Sequence, residues 1–256
     1  MHTARNAASA GLALLLTACG NDVARTTTIA GSAFPPECLG PALNNESFYG
    51  RAEVEPFLAV DPLDPAHLIT VWQQDRYSRG GSAGLLTGVS FDAGKTWETH
   101  SAPFSHCTGG TSSNGGDYER ASDPWVTIAP DGTAHQQALT FDVSLGGGHR
   151  AILASRSTDG GRTWSAAKTL QGDFDSSFAL DKGSITADPK DASHVYAVWD
   201  RLTVQNVPSS PSVHGPAWFA RTTDGGATWE QARAIYDPGA DAQTIGNVIA
   251  VLPDGT

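Results

Sequence analysis

The sequence predicts an all-β fold built from repeated four-stranded antiparallel sheets, and three observations carry that expectation. The 256-residue chain holds 28 Gly and 15 Pro and is 39% hydrophobic and 17% charged, which fits a turn-rich globular protein better than a helical or disordered one. Its apolar residues fall in short Val, Ile, Thr and Trp runs divided by Gly, Pro and Asp, and a single Met with few Leu-periodic stretches leaves no long helix beyond the N-terminus. The third observation is a repeat. SFDAGKTW (90–97), STDGGRTW (157–164) and TTDGGATW (222–229) share [Ser/Thr]-x-Asp-x-Gly-x-Thr-Trp, with Asp92, Asp159 and Asp224 spaced 67 and 65 residues apart. Such a period is too long for helical solenoids and right for one small sheet per unit.

Taken in order, residues 1–18 read as a secretory signal: Arg5 in a short basic lead, an apolar core around Leu12 to Leu16, then small residues before Cys19. The ending LTAC (16–19) resembles a bacterial lipobox, which implies cleavage before Cys19 and lipid attachment to its thiol; an unlipidated signal is the alternative. The apolar run is too short to span a bilayer, so the expectation is an exported lipoprotein of the cell envelope or surface, touching the membrane only through its anchor. Residues 19–50 form a linker and first segment, and 51–256 the repeated domain. Two cysteines remain, Cys38 and Cys107, and in an oxidising compartment such a pair is expected as a disulfide. The net charge of −11, −12 without the signal, argues against a nucleic-acid partner.

Each unit then repeats one plan. EPFLAVDPLDPAHLITVWQQDR (55–76), SDPWVTIAPDGTAHQQALTFD (122–142) and DKGSITADPKDASHVYAVWDR (181–201) each read as strand, Asp-Pro or Pro-Asp-Gly turn, strand. A variable loop follows, then a third strand (LLTGVS, AILASRS, AWFARTT) that runs into the Asp motif, then a fourth. Four strands repeated in tandem make a β-propeller of four-stranded antiparallel blades. In each motif the Asp and hydroxyl groups can bond local amides, Gly relieves the bend, and Trp packs between neighbouring sheets. A calcium loop would need several more oxygen ligands than a motif supplies. A fourth unit opens at GNVIAVLPDGT (246–256), so about three and a quarter blades are present of an expected six, the range for closed rings being about four to eight.

These motifs are similar to the Asp box, or BNR repeat, of the sialidase superfamily, and the resemblance covers roughly Glu53 to Thr256. It implies a propeller and, as the leading function, an exported sialidase-like glycoside hydrolase acting on glycans or glycoconjugates without a cofactor, an exo-alpha-sialidase among them. The alternative is a non-catalytic surface propeller that binds glycan or protein, as sortilin-like receptors bind protein, since fold does not fix function. A polysaccharide lyase is a third class, for which no His or Tyr base stands out. In sialidases three arginines bind the sugar carboxylate, a Tyr activated by Glu is the nucleophile, and an Asp is the acid/base. The family's Phe/Tyr-Arg-Ile-Pro motif is absent: the matching stretch reads EVEPFLAV (53–60).

Site residues are therefore expected by position alone. If Asp boxes join strands three and four, they share a face with the turns between strands one and two. The opposite face collects the lead-in to each first strand, with Glu53, Glu55, Glu119, Arg120, Asp123, Asp181, Lys182 and Asn247, and the exit of each second strand, with Gln74, Asp75, Arg76, Asp142, Asp200 and Arg201. Arg76, Arg120 and Arg201 form a candidate carboxylate clamp, guanidinium being a planar fork of donors, supported by Glu55, Glu119, Asp181 and Lys182. Asp75, Asp123 and Asp200 are the candidate catalytic carboxylates; ion pairs between blades are the competing account of the same residues. No Gly-x-Ser-x-Gly elbow occurs. His100, His106 and Cys107 lack a partner pair at metal spacing, so no metal site is expected. The Gly-rich stretch 108–118 is expected as a flexible rim loop, and 202–216 as a lid or partner contact.

Overall fold

The computed structural model describes residues 27–144, 148–205 and 212–252. The signal peptide and Cys19 lie outside the described residues. Three blades account for nearly all of the strands. The first holds β1 (Phe48–Val60), β2 (Leu68–Tyr77), β3 (Ser82–Ser90) and β4 (Glu98–His100). The second holds β5 (Arg120–Ile128), β6 (Ala134–Phe141), β7 (Arg150–Ser157) and β8 (Lys168–Asp173). In the third, β9 (Phe178–Ala187), β10 (Val195–Gln205), β12 (Ala217–Thr222) and β13 (Arg233–Tyr236) pair in that order, and the short β11 (Ser212–His214) adds a hairpin to the end of β10. Every pairing among these strands is antiparallel. The first and second blades are joined by one bridge, Ser82 to Ala121.

The first strand of each blade is innermost: β5 lies against both β1 and β9. Residues 246–252 begin a fourth layer, where Ser184 and Thr186 on β9 donate hydroxyls to the carbonyls of Asn247 and Ile249 (2.8 and 3.0 Å). The cores lie between blades. Ile69, Val71, Leu85, Val126 and Leu153 fill the seam between the first two, and Ile152, Leu170, Ile185, Val195 and Trp199 the next. A fully buried side chain of this kind contributes about 1.5–3 kcal/mol. The ends of the arc stay apolar and exposed, with Leu58, Val60 and Leu63 on one side and Ile245, Val248 and Leu252 on the other.

The Asp motifs form the expected bends. In the second, Asp159 accepts from the Thr163 amide and hydroxyl (2.9 and 2.6 Å) and from the Ser157 hydroxyl (2.7 Å), while the Gly161 amide donates to Ser157 Oγ at 2.9 Å. Trp164 Nε1 donates to the Gly161 carbonyl at 3.0 Å. The first and third motifs repeat this around Asp92 and Asp224. Each later motif also reaches back to the preceding blade: His67 Nε2 bonds the Gly160 carbonyl at 3.0 Å, and Arg156 donates to the Gly225 carbonyl at 3.0 Å. Trp164 packs into the seam between the first two blades. These contacts put the Asp motifs on the face of the strand-one to strand-two turns, leaving the opposite face for the charged residues.

Candidate functional site

On that opposite face each innermost strand departs from regular pairing at the same point. The β1 register shifts between Val54 and Phe57, and the β5 register between Ser122 and Trp125. The residues concerned are left-handed: Glu55 at φ 53°, Asp123 at 50° and Lys182 at 37°, with Gly246 at 67° in the fourth layer. A non-glycine residue there costs about 1 kcal/mol or more, and such positions cluster at functional sites. The bulges open one pocket of about 190 Å³ among the four inner segments, lined by the corresponding triplets Glu55-Pro56-Phe57, Asp123-Pro124-Trp125, Lys182-Gly183-Ser184 and Gly246-Asn247-Val248.

The charges in it are organised around Lys182. Its ammonium donates to Asp123 Oδ1 at 3.1 Å and pairs with Glu55 Oε1 at 3.2 Å, while Gln73 Nε2 donates to Glu55 Oε2 at 2.6 Å. Burial, reinforced by the adjacent Asp123 carboxylate, pushes Glu55 above the usual carboxylate range. Burial opposes the Lys182 charge, but Asp123 and Glu55 outweigh it and hold the ammonium above its ordinary value. Phe57 and Trp125 stack at 3.6 Å between centroids in the pocket wall.

A second acidic pair lies behind this cluster. Asp200 is fully buried and faces Asp181 across the β9–β10 pairing. One Asp200 oxygen accepts from Thr244 Oγ1 and from Asn247 Nδ2 (2.7 Å for the latter); the other has no partner among the described residues. Burial raises both carboxyls, with Asp123 and Asp200 adding to the rise at Asp181. Asp123, Asp200, Glu55, Asp181 and Lys182 are thus brought together.

The remaining candidates are engaged elsewhere. Arg120 is buried and grips Glu46 with both terminal nitrogens (2.8 and 2.7 Å), donates to the Gly80 and Pro41 carbonyls, and sits 3.7 Å over the Tyr77 ring. Arg201 grips Asp173 (2.7 and 3.0 Å) and covers Phe178. Arg76 donates to the Gly81 carbonyl at 2.8 Å. The three guanidiniums share no partner, so the expected clamp is not assembled: Arg76 bonds within its own blade, Arg120 holds the N-terminal segment, and Arg201 on β10 pairs with Asp173 on β8 of the preceding blade, an ion pair between blades. Asp75 likewise accepts the Phe34 and Arg51 amides (both 2.6 Å), and Glu119 accepts those of Val143 and Ser144 (2.7 and 3.0 Å). Both carboxylates tie chain segments down rather than facing the pocket.

The Gly-rich stretch expected to be loose is instead tied: Gly110 and Gly116 amides bond Ser105 and Thr111, and Ala167 donates to the Asn114 carbonyl at 2.8 Å. Cys38 and Cys107 form a disulfide that fastens the N-terminal segment beside it. Of the 202–216 stretch, 206–211 lie outside the described residues, and the flanks form the β10–β11 hairpin. Sequence reasoning missed Pro56, Phe57, Pro124, Trp125, Gly183, Ser184, Gly246 and Val248 as pocket residues. Their signal was the recurrence, at one place in each unit, of a charged residue followed by Pro or Gly.

No family model matches the chain, and no curated protein sequence matches it. Among solved structures, a Penicillium chrysogenum alpha-L-arabinanase complexed with arabinobiose is similar over 83% of this chain and 56% of its own, at 13% identity and TM-score 0.51. A Hadza microbial sialidase is similar over 70% of this chain and 37% of its own, at 18% identity and TM-score 0.48. The GH93 alpha-L-arabinofuranosidase of Fusarium graminearum gives 82%, 55%, 14% and 0.45. This chain therefore spans between about a third and just over half the length of those structures. At such identities a likeness is one of fold, and the arabinanase likeness together with the blades described above establishes an all-β propeller of four-stranded antiparallel blades.

Proposed function

We propose that this protein is an exported, lipid-anchored propeller that acts on glycans, with glycoside hydrolysis at the axial pocket as its chemistry. The observation that supports this reading is the set of strained bulges, which gather Glu55, Asp123 and Lys182 at one pocket. In that reading Glu55, its proton affinity raised by burial and by Asp123, donates to the leaving glycosidic oxygen. Asp123, held by the Lys182 ammonium, supports the developing positive charge or steers water. The names of the similar structures, an arabinanase, a sialidase and an arabinofuranosidase, are compatible with a glycan substrate. An exo-alpha-sialidase draws less support, because Arg76, Arg120 and Arg201 are spent on internal partners.

The test is turnover of a panel of fluorogenic glycosides by the full chain, beside Glu55→Gln and Asp123→Asn. The expected result is loss of at least about 100-fold in kcat/KM for each variant with the melting temperature held within a few degrees. Turnover that survives both changes would remove these residues from the mechanism. Glycan binding without turnover of any substrate would select the non-catalytic reading, which one observation favours: Glu55 and Asp123 share a single ammonium instead of flanking an open gap.

A further inference from the structure

The pocket's charge and hydrogen-bonding inventory restricts the sugar it can take, granted the glycan reading above. Lys182 is the one cation among its lining residues, and its ammonium is already bound to Asp123 and Glu55. Of the arginines that could have answered a carboxylate, Arg120 and Arg201 are closed off by Glu46 and Asp173, and Arg76 bonds the Gly81 carbonyl. Behind the lining stand Asp181 and Asp200, so four carboxyl groups surround a single neutralised cation. A sugar carboxylate brought here meets carboxyl groups and no free guanidinium to receive it.

The buried polar atoms left over have the same bias. Gln73 Oε1 is unpartnered on the amide that supports Glu55; both ends of the Gln137 amide are unpartnered where it lies against Gly183; Asp200 Oδ2 is unpartnered beside Asn247. Three of these four atoms only accept hydrogen bonds, and each stands immediately behind a pocket-lining residue. Buried acceptors of this kind call for donors. Sugar hydroxyls donate; carboxylates cannot.

We infer that the axial pocket is specific for an uncharged, hydroxyl-rich sugar unit and rejects carboxylated sugars. Rejection comes from the acidic ring around Lys182, and recognition from hydroxyl donation to Glu55 and Asp123, which line the pocket. Calorimetric titration of the full chain with neutral oligosaccharides (arabino-, xylo- and galacto-oligosaccharides, lactose) and with sialyllactose and oligogalacturonate tests this. The expected result is at least about tenfold tighter binding of a neutral ligand, with the weak binding of the acidic ones improving as salt screens the repulsion. Glu55→Gln with Asp123→Asn is expected to shrink the discrimination towards unity. Acidic glycans that bind as tightly as neutral ones, or that weaken with added salt, would overturn the inference and leave the glycan reading standing. Failure of every glycan to bind a natively folded protein would overturn the glycan reading, and this inference with it.

Discussion

Replacing Arg120 with Ala separates a structural arginine from a ligand clamp. The wild-type side chain makes two charge-assisted bonds to Glu46 and two to carbonyls, and covers Tyr77. Its side chain is 1% exposed and that of Glu46 is 0% exposed. Removal strands the Glu46 carboxylate with only the Leu43 and Arg79 amides, and breaking a buried pair from one side costs about 3–5 kcal/mol. For a domain of this size that is a fall in Tm of roughly 6–20 °C, measured by calorimetry at pH 7. The double variant Arg120→Met with Glu46→Gln should recover part of the loss, because no unpaired charge is left. The pH dependence has a defined sign. Hydrogen bonds from Arg120 lower Glu46 from its ordinary 4.5 to about 2, so the contribution is complete above about pH 4.5 and disappears as pH falls towards 2; Arg120→Ala should lose that acid phase. A Tm within about 2 °C of wild type, with glycan affinity abolished, would refute the structural assignment and return Arg120 to a ligand.

Other outcomes follow from the same geometry. Reducing the Cys38–Cys107 bond, which closes a separation of 69 residues, should cost about 4 kcal/mol on the chain-entropy account; identical melts with and without reductant would contradict it. Gly161→Ala should destabilise by about 1–3 kcal/mol, since φ is +93° and a Cβ would stand 3.0 Å from Ile69 and Val89; a neutral effect on urea unfolding would argue against tight docking of the second motif on the first blade. Burial holds His135 down to about 4 from 6.5, so its contribution is complete above pH 6.5 and lost as pH falls to about 4. His135→Gln should flatten the stability profile in that window, and an unchanged slope would exclude His135 as its source.

Much of the architecture was legible in the sequence because its signals are local. The Asp motif carries its own hydrogen bonds within eight residues, so three copies at even spacing announce three bends, and the strand runs between them announce the blades. The division of the faces followed from strand order alone. The bulges were harder to read: Glu55-Pro56 and Asp123-Pro124 look like ordinary strand lead-ins, and only their recurrence marks them. β11 was missed because its pairing with β10 depends on where the long connection returns.

What the sequence determined by itself was the set of elements, their antiparallel order and the face on which charge collects, since turn chemistry and two-residue alternation act between near neighbours. What only the tertiary structure decided was which charges meet. Arg120 finds Glu46 across 74 residues and Lys182 finds Asp123 across 59, and no local rule ranks those partners above the rest. An ion pair takes its energy from distance and burial, both of which are properties of the packed blades and not of the chain read in order.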